Sequence, residues 1–468
     1  MHQEETISAI ATAPGEGGIG IIRMSGEKSI EIANKIFNPH SGRRLEDYSP
    51  RTAVFGYVRN EKGHTIDEAI CIVMNAPNSY TREDVVEIQC HGGAVVMREI
   101  LSLTFQMGAR AAQPGEFTKR AFLNGRLDLS QAQAVMDVIN AKTKASLDMA
   151  MGHLSGDFSK MIKGFRHDIL AMIAHLEASI DFPEDDIDEL NLEDTRERVW
   201  HLYGKIKGLV DNAHTGIILR DGLKTAIIGK PNAGKSSLMN LLLGQERAIV
   251  TDIPGTTRDS IEEYVNMGGI PLRLIDTAGI RTTDDVVEKI GVDKAYSYAQ
   301  EAELVLAVFD SADELTAEDE EIIQLMDRCK GKIIVILNKM DLSGHGDSDI
   351  IGKRLEKCAN DRIQGIIPMS AKEGEGQEAL AQLLSDIVYG GKAGLVESQV
   401  LCDARQGEIL RQAMVLLNET LNTIDLGMSE DFIVIDLRSA WEKLGEITGE
   451  TLEDDIVDQI FSQFCIGK

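Results

Sequence analysis

The sequence predicts a multidomain protein of mixed α+β and α/β class. It is expected to contain an N-terminal α+β domain, a helical domain, and a doubly wound, mostly parallel α/β domain inserted into the helical one. Three observations lead to this prediction: short apolar segments between prolines fill the first quarter, proline-free stretches with helical periodicity flank the middle, and the middle alternates strands with helices. A length of 468 residues favours several domains, at about 150 residues each.

The first quarter is predicted to be a small α+β domain that ends near residue 120. The segments AICIVM (Ala69 to Met74) and VVEIQ (Val85 to Gln89) have the composition of strands and lie between turn residues. GEGGIG, which begins at Gly15, matches the GxGxxG pattern of dinucleotide-binding folds. The residues that follow, IGIIRMSG, predict a strand instead of the helix that such a site needs, so we expect no dinucleotide site there.

Helices are predicted over residues 121–221 and 389–468. No proline occurs between Pro114 and Pro183 or after Pro368. Apolar residues recur three and four positions apart at Ala134, Val135, Val138, Ile139, Leu147, Met151 and Leu154, and again at Ile409, Ala413, Leu416, Leu417 and Leu421. This periodicity predicts one buried face for each helix without identifying what covers it.

Composition narrows the possible functions. With 48 Lys and Arg against 76 Asp and Glu the net charge is −28, which disfavours contact with nucleic acid or anionic membrane over most of the surface. Residues 1–126 hold 14 basic and 15 acidic side chains, so this part is the most open to an anionic ligand. The six cysteines show no CxxC pair or zinc spacing, and no secretion signal or long apolar stretch occurs. We therefore expect a soluble cytoplasmic protein with no membrane partner.

The inserted domain, predicted over residues 222–388, begins with a phosphate-binding motif. GKPNAGKS, from Gly229 to Ser236, matches GxxxxGK(S/T), follows the strand TAIIG and precedes the apolar run SSLMNLLLG. The glycines let backbone N–H groups curl around phosphates, Lys235 reaches the outer phosphates, and the Ser236 hydroxyl can bind Mg²⁺. The expected nucleotide contacts in this loop are Asn232, Ala233, Gly234, Lys235, Ser236 and Ser237.

Two later motifs select guanine. Asn338-Lys339-Met340-Asp341 follows the strand KIIVIL and matches the NKxD pattern of GTPases. The Asp341 carboxylate can accept hydrogen bonds from two guanine N–H groups, which adenine does not offer. The loop of Ser370 and Ala371, within Ser-Ala-Lys, resembles the loop that supports the same base. The order of these motifs predicts a P-loop GTPase domain with GTP as its substrate.

The motif Asp276-Thr277-Ala278-Gly279 closes the strand PLRLID, where the carboxylate can hold Mg²⁺ through water and the glycine N–H can contact the γ-phosphate. The residue after it is Ile280, where Ras-like GTPases carry the glutamine that orients the attacking water. Hydrolysis then needs another polar group or another subunit. Glu288 is the candidate, and the alternative is that Glu288 is a solvated helix carboxylate.

The segment TDIPGTTRD occupies the first switch position and supplies hydroxyls for Mg²⁺ and carbonyls for a cation. Its expected nucleotide contacts are Thr251, Asp252, Ile253, Pro254, Gly255, Thr256 and Thr257. Arg258 could place a positive charge near the phosphates, and a bound K⁺ could supply that charge without any arginine.

These motifs, with PNSYTREDVVEIQCHGG, QPGEFTKRAFLNGRLDL and the terminal FCIGK, resemble the MnmE (TrmE) family of bacterial tRNA-modification GTPases over essentially the whole chain. The resemblance implies an N-terminal tetrahydrofolate-binding domain at 1–120 that also forms the homodimer, a helical domain at 121–221 and 389–468, and a G domain at 222–388. It further implies that, with the FAD-containing partner MnmG (GidA), the protein adds a carboxymethylaminomethyl-type group to the wobble uridine of certain tRNAs.

The resemblance also implies K⁺-dependent dimerisation of the G domains and roles for particular residues. Glu288 would be catalytic together with Lys235. The K⁺ ligands would be Asn232 and Thr251 with the backbone oxygens of Ile253 and Thr256, and the Mg²⁺ ligands would be Ser236 and Thr257. The contacts to a tetrahydrofolate derivative, in its 5-formyl or methylene form, would be Arg23, Glu87, Arg126 and Lys468.

Some alternatives stay open at this point. Glu87 lies in the apolar segment VVEIQC, where either a pterin donor or a buried ion pair would explain a carboxylate. Cys465 either takes part in the modification chemistry or packs at an interface. An Era-like regulatory switch for RNA or ribosome assembly is the main alternative function, and its RNA-binding module would be expected to be basic. A stand-alone folate-dependent aminomethyltransferase with a regulatory G domain is a third.

Overall fold

A computed structural model of the chain describes residues 5–181, 192–244, 263–275, 298–342, 361–390, 402–452 and 454–467. The chain divides into two compact units. The first comprises Met1–Met136, His153–Asn191 and Asn422–Lys468, and the second comprises Asp137–Gly152 and Leu192–Leu421. The boundaries expected from the sequence at residues 120, 221 and 388 stay a prediction.

The strands in the described residues are, in chain order, β1 (Ile7–Ile10), β2 (Gly17–Ser25), β3 (Phe37–Pro39), β4 (Ala53–Arg59), β5 (Thr65–Met74), β6 (Val85–Gly92), β7 (Arg110–Ala111), β8 (Leu223–Ile228), β9 (Glu263–Met267), β10 (Ile270–Leu274), β11 (Leu304–Asp310), β12 (Lys332–Asn338) and β13 (Ile363–Pro368).

The α-helices bounded within the same residues are α1 (Ser29–Ile36), α2 (Ala94–Gln106), α3 (Glu116–Leu123), α4 (Leu129–Asn140), α5 (Lys144–Leu154), α6 (Asp157–Asp181), α7 (Leu192–Asp221), α8 (Lys235–Gly244), α9 (Ala317–Arg328), α10 (Gln377–Tyr389), α11 (Ala404–Asp425), α12 (Glu430–Thr448) and α13 (Asp454–Phe461).

The first unit contains a mixed sheet whose described strands run in the order β3-β4-β5-β6-β2-β1-β7. Neighbouring strands are antiparallel except β1 and β7, which are parallel. One face of the sheet packs on α1 and α2, with Ile22, Ile32, Val86 and Ile100 in the core between them. The predicted strand segments lie in β5 and β6, so the α+β class of this part is confirmed.

The GxGxxG match runs into β2, so the predicted strand at this position is confirmed. Packing explains a glycine here, because a Cβ on Gly20 would lie only 2.4 Å from Sδ of Met97. The sequence match to a dinucleotide loop is therefore coincidental.

The second unit contains a sheet with the described order β13-β12-β11-β8-β10-β9, parallel except for the β9–β10 pair. Apolar side chains of α8 and α10 cover one face, and those of α9 cover the other. Both faces of the parallel strands are thus buried, which explains their continuous apolar runs. The doubly wound, mostly parallel α/β domain is confirmed.

The proline-free segments form α4 to α6 and α11 to α13, as the periodicity predicts. The buried face of α5 is displaced from the apolar stripe, however: Ser146 and Ala150 are buried, whereas Leu147 and Met151 are exposed. Small side chains therefore occupy the packed positions, and periodicity identified the helix but not its inner face. No helix in the described part of the chain is long and apolar enough to cross a membrane.

Candidate nucleotide and folate sites

The loop between β8 and α8 has the curvature of a phosphate cradle. A Cβ on Gly229 would lie 2.4 Å from the carbonyl oxygen of Val308 in β11, and a Cβ on Gly234 would lie 2.0 Å from Nδ2 of Asn338. Glycine is required at both positions because neighbouring strands approach the loop so closely. Asn232 has a φ of 60°, a left-handed conformation that asparagine tolerates better than most residues.

Lys235 closes the curve of this loop. Its Nζ donates hydrogen bonds to the carbonyl oxygens of Gly229 at 2.8 Å and Lys230 at 2.7 Å. Ala233 is buried beneath the loop, while Ser236 and Ser237 are exposed in the first turn of α8. The helix N-terminus behind the loop provides backbone N–H groups and a positive dipole end, which suit phosphate.

Asn338, at the end of β12, connects the phosphate loop to the base-binding loop. Its side chain is buried, its Nδ2 donates to the carbonyl oxygen of Ala233 at 2.9 Å, and its Oδ1 accepts from the amide of Ala371 at 2.9 Å. The structure thus brings together three motifs, of which the middle one lies 105 residues from the first and 33 from the last along the chain. Replacing this amide would disconnect both loops at once.

The residues expected to recognise guanine are also held in place. Lys339 has a left-handed φ of 67°, and its Nζ lies 2.5 Å from Oδ2 of Asp310 at the end of β11. Oδ1 of Asp341 accepts a hydrogen bond from the Ser370 hydroxyl at 2.7 Å, and this bond lowers the pKa of Asp341. The carboxylate is therefore ionised at neutral pH, as a double acceptor for guanine N–H groups must be.

Several residues predicted from the sequence lie outside the described residues. They are Thr251, Asp252, Ile253, Pro254, Gly255, Thr256, Thr257, Asp276, Thr277, Ala278, Gly279, Ile280, Glu288 and Lys468. Within the described ranges no group of three or more His, Cys, Asp or Glu side chains could hold a metal ion.

A second candidate site lies in the first unit, around the Arg23–Glu87 pair. The two side chains face each other across the β2–β6 pairing, with Nε of Arg23 2.8 Å from Oε1 of Glu87. Each retains 16% of its side-chain exposure, so the pair is accessible. The sequence left a buried ion pair as one explanation of Glu87; an ion pair is present, and it is only partly buried.

Tyr80 joins the two predicted arginines. The guanidinium of Arg23 lies 5.6 Å from the centre of the Tyr80 ring and that of Arg126 lies 4.6 Å from it, both within the range of cation–π contacts. Arg126 also donates to the Tyr80 carbonyl oxygen at 3.0 Å. The C-terminal tail reaches the same place, since the carbonyl oxygen of Gly467 accepts from Arg23 at 3.2 Å.

A buried ion-pair network supports the segment that carries Tyr80. Arg120, which is nearly fully buried, pairs with Glu83 at 3.0 Å and Glu116 at 3.1 Å, and Glu83 accepts from the Ser25 hydroxyl. Asn124 donates to the carbonyl oxygen of Thr81 at 2.6 Å. These contacts fix the turn that precedes β6 against α3.

Sequence reasoning did not single out Tyr80 or Asp310. A tyrosine next to charged residues in PNSYTRED and an aspartate that ends the strand LVLAVFD were the available signals. Both roles depend on partners far away in the sequence, so the local pattern alone could not identify them.

Comparison with known proteins decides the family. A model described as "MnmE helical domain" matches residues 129–465, and one described as "GTP-binding protein TrmE N-terminus" matches residues 6–126. The chain belongs to the MnmE family of tRNA modification GTPases. The proteins named tRNA modification GTPase MnmE from Alkaliphilus metalliredigens (strain QYMF) and Clostridioides difficile (strain 630) are each 46% identical to it over 469 residues, covering 100% of both chains in each case.

Among solved structures, the chain is similar to Era in complex with MgGDPNP and nucleotides 1506–1542 of 16S ribosomal RNA. The identity is 31%, the match covers 35% of this chain and 55% of that chain, and the TM-score is 0.27. A TM-score of this size supports no conclusion for an MnmE-family chain.

Proposed function

We propose that this chain hydrolyses GTP in a K⁺-activated reaction and, with the flavoprotein MnmG, uses folate to add a carboxymethylaminomethyl-type group to the wobble uridine of certain tRNAs. The observation that carries the GTPase part is the buried Asn338 amide, which bonds to both the phosphate loop and the base loop. One residue holds the loop expected to bind the phosphates and the loop expected to bind the base, so the arrangement suits a nucleotide. Membership of the MnmE family supports the tRNA part, and tRNA modification makes the cytoplasm the proposed location.

In the proposed hydrolysis Lys235 contacts the outer phosphates, and Ser236 and Thr257 hold Mg²⁺. Ile280 stands at the position where Ras-like GTPases carry the glutamine that orients the attacking water, and Glu288 takes over that role. A bound K⁺, held by Asn232 and Thr251 with the backbone oxygens of Ile253 and Thr256, would supply positive charge near the phosphates. The exposed, left-handed Asn232 suits this role, because the residue is accessible at the phosphate loop.

For folate, the proposed contacts are Arg23, Glu87, Arg126 and Lys468. A carboxylate can accept from the amide and amino N–H groups of a pterin, and guanidinium groups suit the anionic glutamate tail. The Arg23–Glu87 pair supports this proposal because it is partly exposed and placed beside a second arginine and an aromatic ring.

A homodimer is proposed through the first unit. The sheet face opposite α1 and α2 exposes Phe55 and Ile70, which are direct neighbours on β4 and β5, and Tyr57 lies 5.7 Å from Phe55 by ring centres. Exposed large apolar side chains on an open sheet face support its use as a contact surface.

The test is GTP turnover by the full chain in KCl and in NaCl at equal ionic strength. We expect strong stimulation by K⁺, and we expect Glu288→Ala to leave GTP binding intact while it sharply lowers turnover. Equal and very slow rates in both salts would refute K⁺ activation and favour the Era-like switch. Unchanged turnover of Glu288→Ala would refute the catalytic role of that residue.

A further inference from the structure

One lysine of the phosphate loop points away from the surface and into the domain. Lys230 is 8% exposed, and its Nζ lies 3.0 Å from Oδ2 of Asp319 and 3.8 Å from Oδ2 of Asp313. The side chain of Asp319 is 3% exposed. A buried ion pair of this kind adds little net stability compared with apolar packing, because both charges lose their hydration.

Asp319 is itself fixed at the start of α9. The same Oδ2 accepts hydrogen bonds from the backbone amide of Thr316 at 2.9 Å and from its hydroxyl at 2.8 Å. Helix α9 in turn packs on the sheet through Ile322, Ile323 and Met326. Through Asp319 the phosphate loop is therefore attached to a rigid part of the domain.

The backbone of Lys230 takes part in the curve of the loop. Its carbonyl oxygen accepts a hydrogen bond from Nζ of Lys235, the lysine expected to reach the outer phosphates. A shift of Lys230 would move this carbonyl oxygen and thereby change the position of the Lys235 ammonium group that is bonded to it. The side chain of Lys230 thus controls a backbone position in the phosphate site without facing the phosphates.

We propose that Lys230 and Asp319 are positioning residues that hold the phosphate loop in its binding curve before the nucleotide arrives. This inference rests on the proposed GTP binding. Preorganisation raises affinity by removing the ordering cost of binding. The effect should fall on the affinity for GTP and GDP alike, because both nucleotides carry the phosphates that this loop surrounds.

The experiment measures equilibrium binding of fluorescent GDP and GTP analogues to the full chain, together with thermal unfolding without nucleotide. We expect Lys230→Met to raise both dissociation constants by about tenfold or more, and Lys230→Arg to restore most of the affinity because it keeps a buried donor. Lys330→Met, which changes an exposed lysine of the same domain, is the matched control and should change neither measurement.

The double variant Lys230→Met/Asp319→Asn separates positioning from stability. Lys230→Met alone should lower the melting temperature, because it leaves the buried Asp319 charge without its partner. The double variant removes both charges and leaves an oxygen for the two Thr316 bonds, so the melting temperature should recover while the affinity for nucleotide stays low. Recovery of both together, or normal affinity in Lys230→Met, would overturn the proposal. If Lys230→Met does not fold, the double variant, which leaves neither charge buried alone, gives the test by itself: normal affinity in it would overturn the proposal. Absence of binding by the unaltered chain would instead refute the proposed GTPase function.

Discussion

Asp341→Asn should change the base preference of the nucleotide site. In the structure the Ser370 hydroxyl donates to Oδ1 of Asp341 at 2.7 Å. The amide oxygen of asparagine can keep this bond, so the NH₂ group takes the place of Oδ2. A donor then faces the guanine amino group, which is also a donor. Xanthine carries a carbonyl oxygen there and can accept the new hydrogen bond.

The magnitude follows from the bonds exchanged. Losing one charge-assisted hydrogen bond costs about 1.5–3 kcal/mol, and leaving its partner without an acceptor costs about 1 kcal/mol more. The affinity for GTP should therefore fall by about 100-fold, since about 1.4 kcal/mol corresponds to a factor of ten. For the xanthosine nucleotide one neutral bond is regained, so its affinity should exceed that of GTP by about tenfold or more.

The assay is equilibrium binding of fluorescent guanosine and xanthosine diphosphates to the full chain and the variant. Asp361→Asn provides the control, because Asp361 is an exposed aspartate in the same domain and should leave both affinities unchanged. Retained preference for guanine in the Asp341 variant would refute the assignment of this carboxylate to base recognition.

Three further predictions concern stability and the second site. Burial raises the pKa of Asp137 to about 6 beside Arg220, so the ionised carboxylate destabilises the folded state as the pH rises from about 4 to above 6. At pH 8 the unfolding free energy of Asp137→Asn should exceed that of the unaltered chain by up to about 3 kcal/mol, and near pH 4 the difference should vanish. Arg120→Met leaves the partly buried Glu83 without its arginine and leaves Glu116 with Arg110 alone, so it should lower the unfolding free energy by about 3 kcal/mol in urea titrations, whereas a loss below about 1 kcal/mol would contradict the network. Gly467→Ala places a Cβ 2.2 Å from the carbonyl oxygen of Ile10 and should weaken binding of 5-formyltetrahydrofolate while GTP binding is unchanged, as calorimetry with both ligands would show.

Strands β2, β5 and β6 of the first sheet and β8 and β10 to β13 of the second could be predicted because their signals are local. Residues 333–338 of the segment KIIVILN are buried in β12 and its first residue, Lys332, is exposed, as expected for an interior strand of a doubly wound domain. The inner face of α5 could not be predicted, because small residues such as Ala150 pack inward while larger apolar ones stay exposed. The periodicity of a sequence shows only where hydrophobic residues recur. The burial of a side chain also depends on how closely the neighbouring elements approach it.

The residues of the candidate sites also fall into those that could be predicted from the sequence and those that could not. The NKxD and phosphate-loop motifs could be recognised in the sequence because each consists of residues that lie close together in the chain. The partners of Lys230, Lys339 and Arg23 could not, since Asp319, Asp310 and Gly467 lie tens to hundreds of residues away.

The predicted insertion of the G domain can be related to contacts within the second unit. The Thr215 hydroxyl, near the end of α7, donates to the carbonyl oxygen of Val388 at 3.0 Å, so the segment leading into β8 meets the end of α10. Gly216, one residue further, lies so close to Cys402 that a Cβ would be 2.3 Å from its carbonyl oxygen. An inserted domain needs its two chain ends close together, because only then can the surrounding domain fold around a short gap. These contacts bring the two expected boundaries together, as an insertion between residues 221 and 389 requires, and the insertion itself stays a prediction. Helix α7, which sequence reasoning assigned to the helical domain, lies in the same compact unit as the mostly parallel sheet.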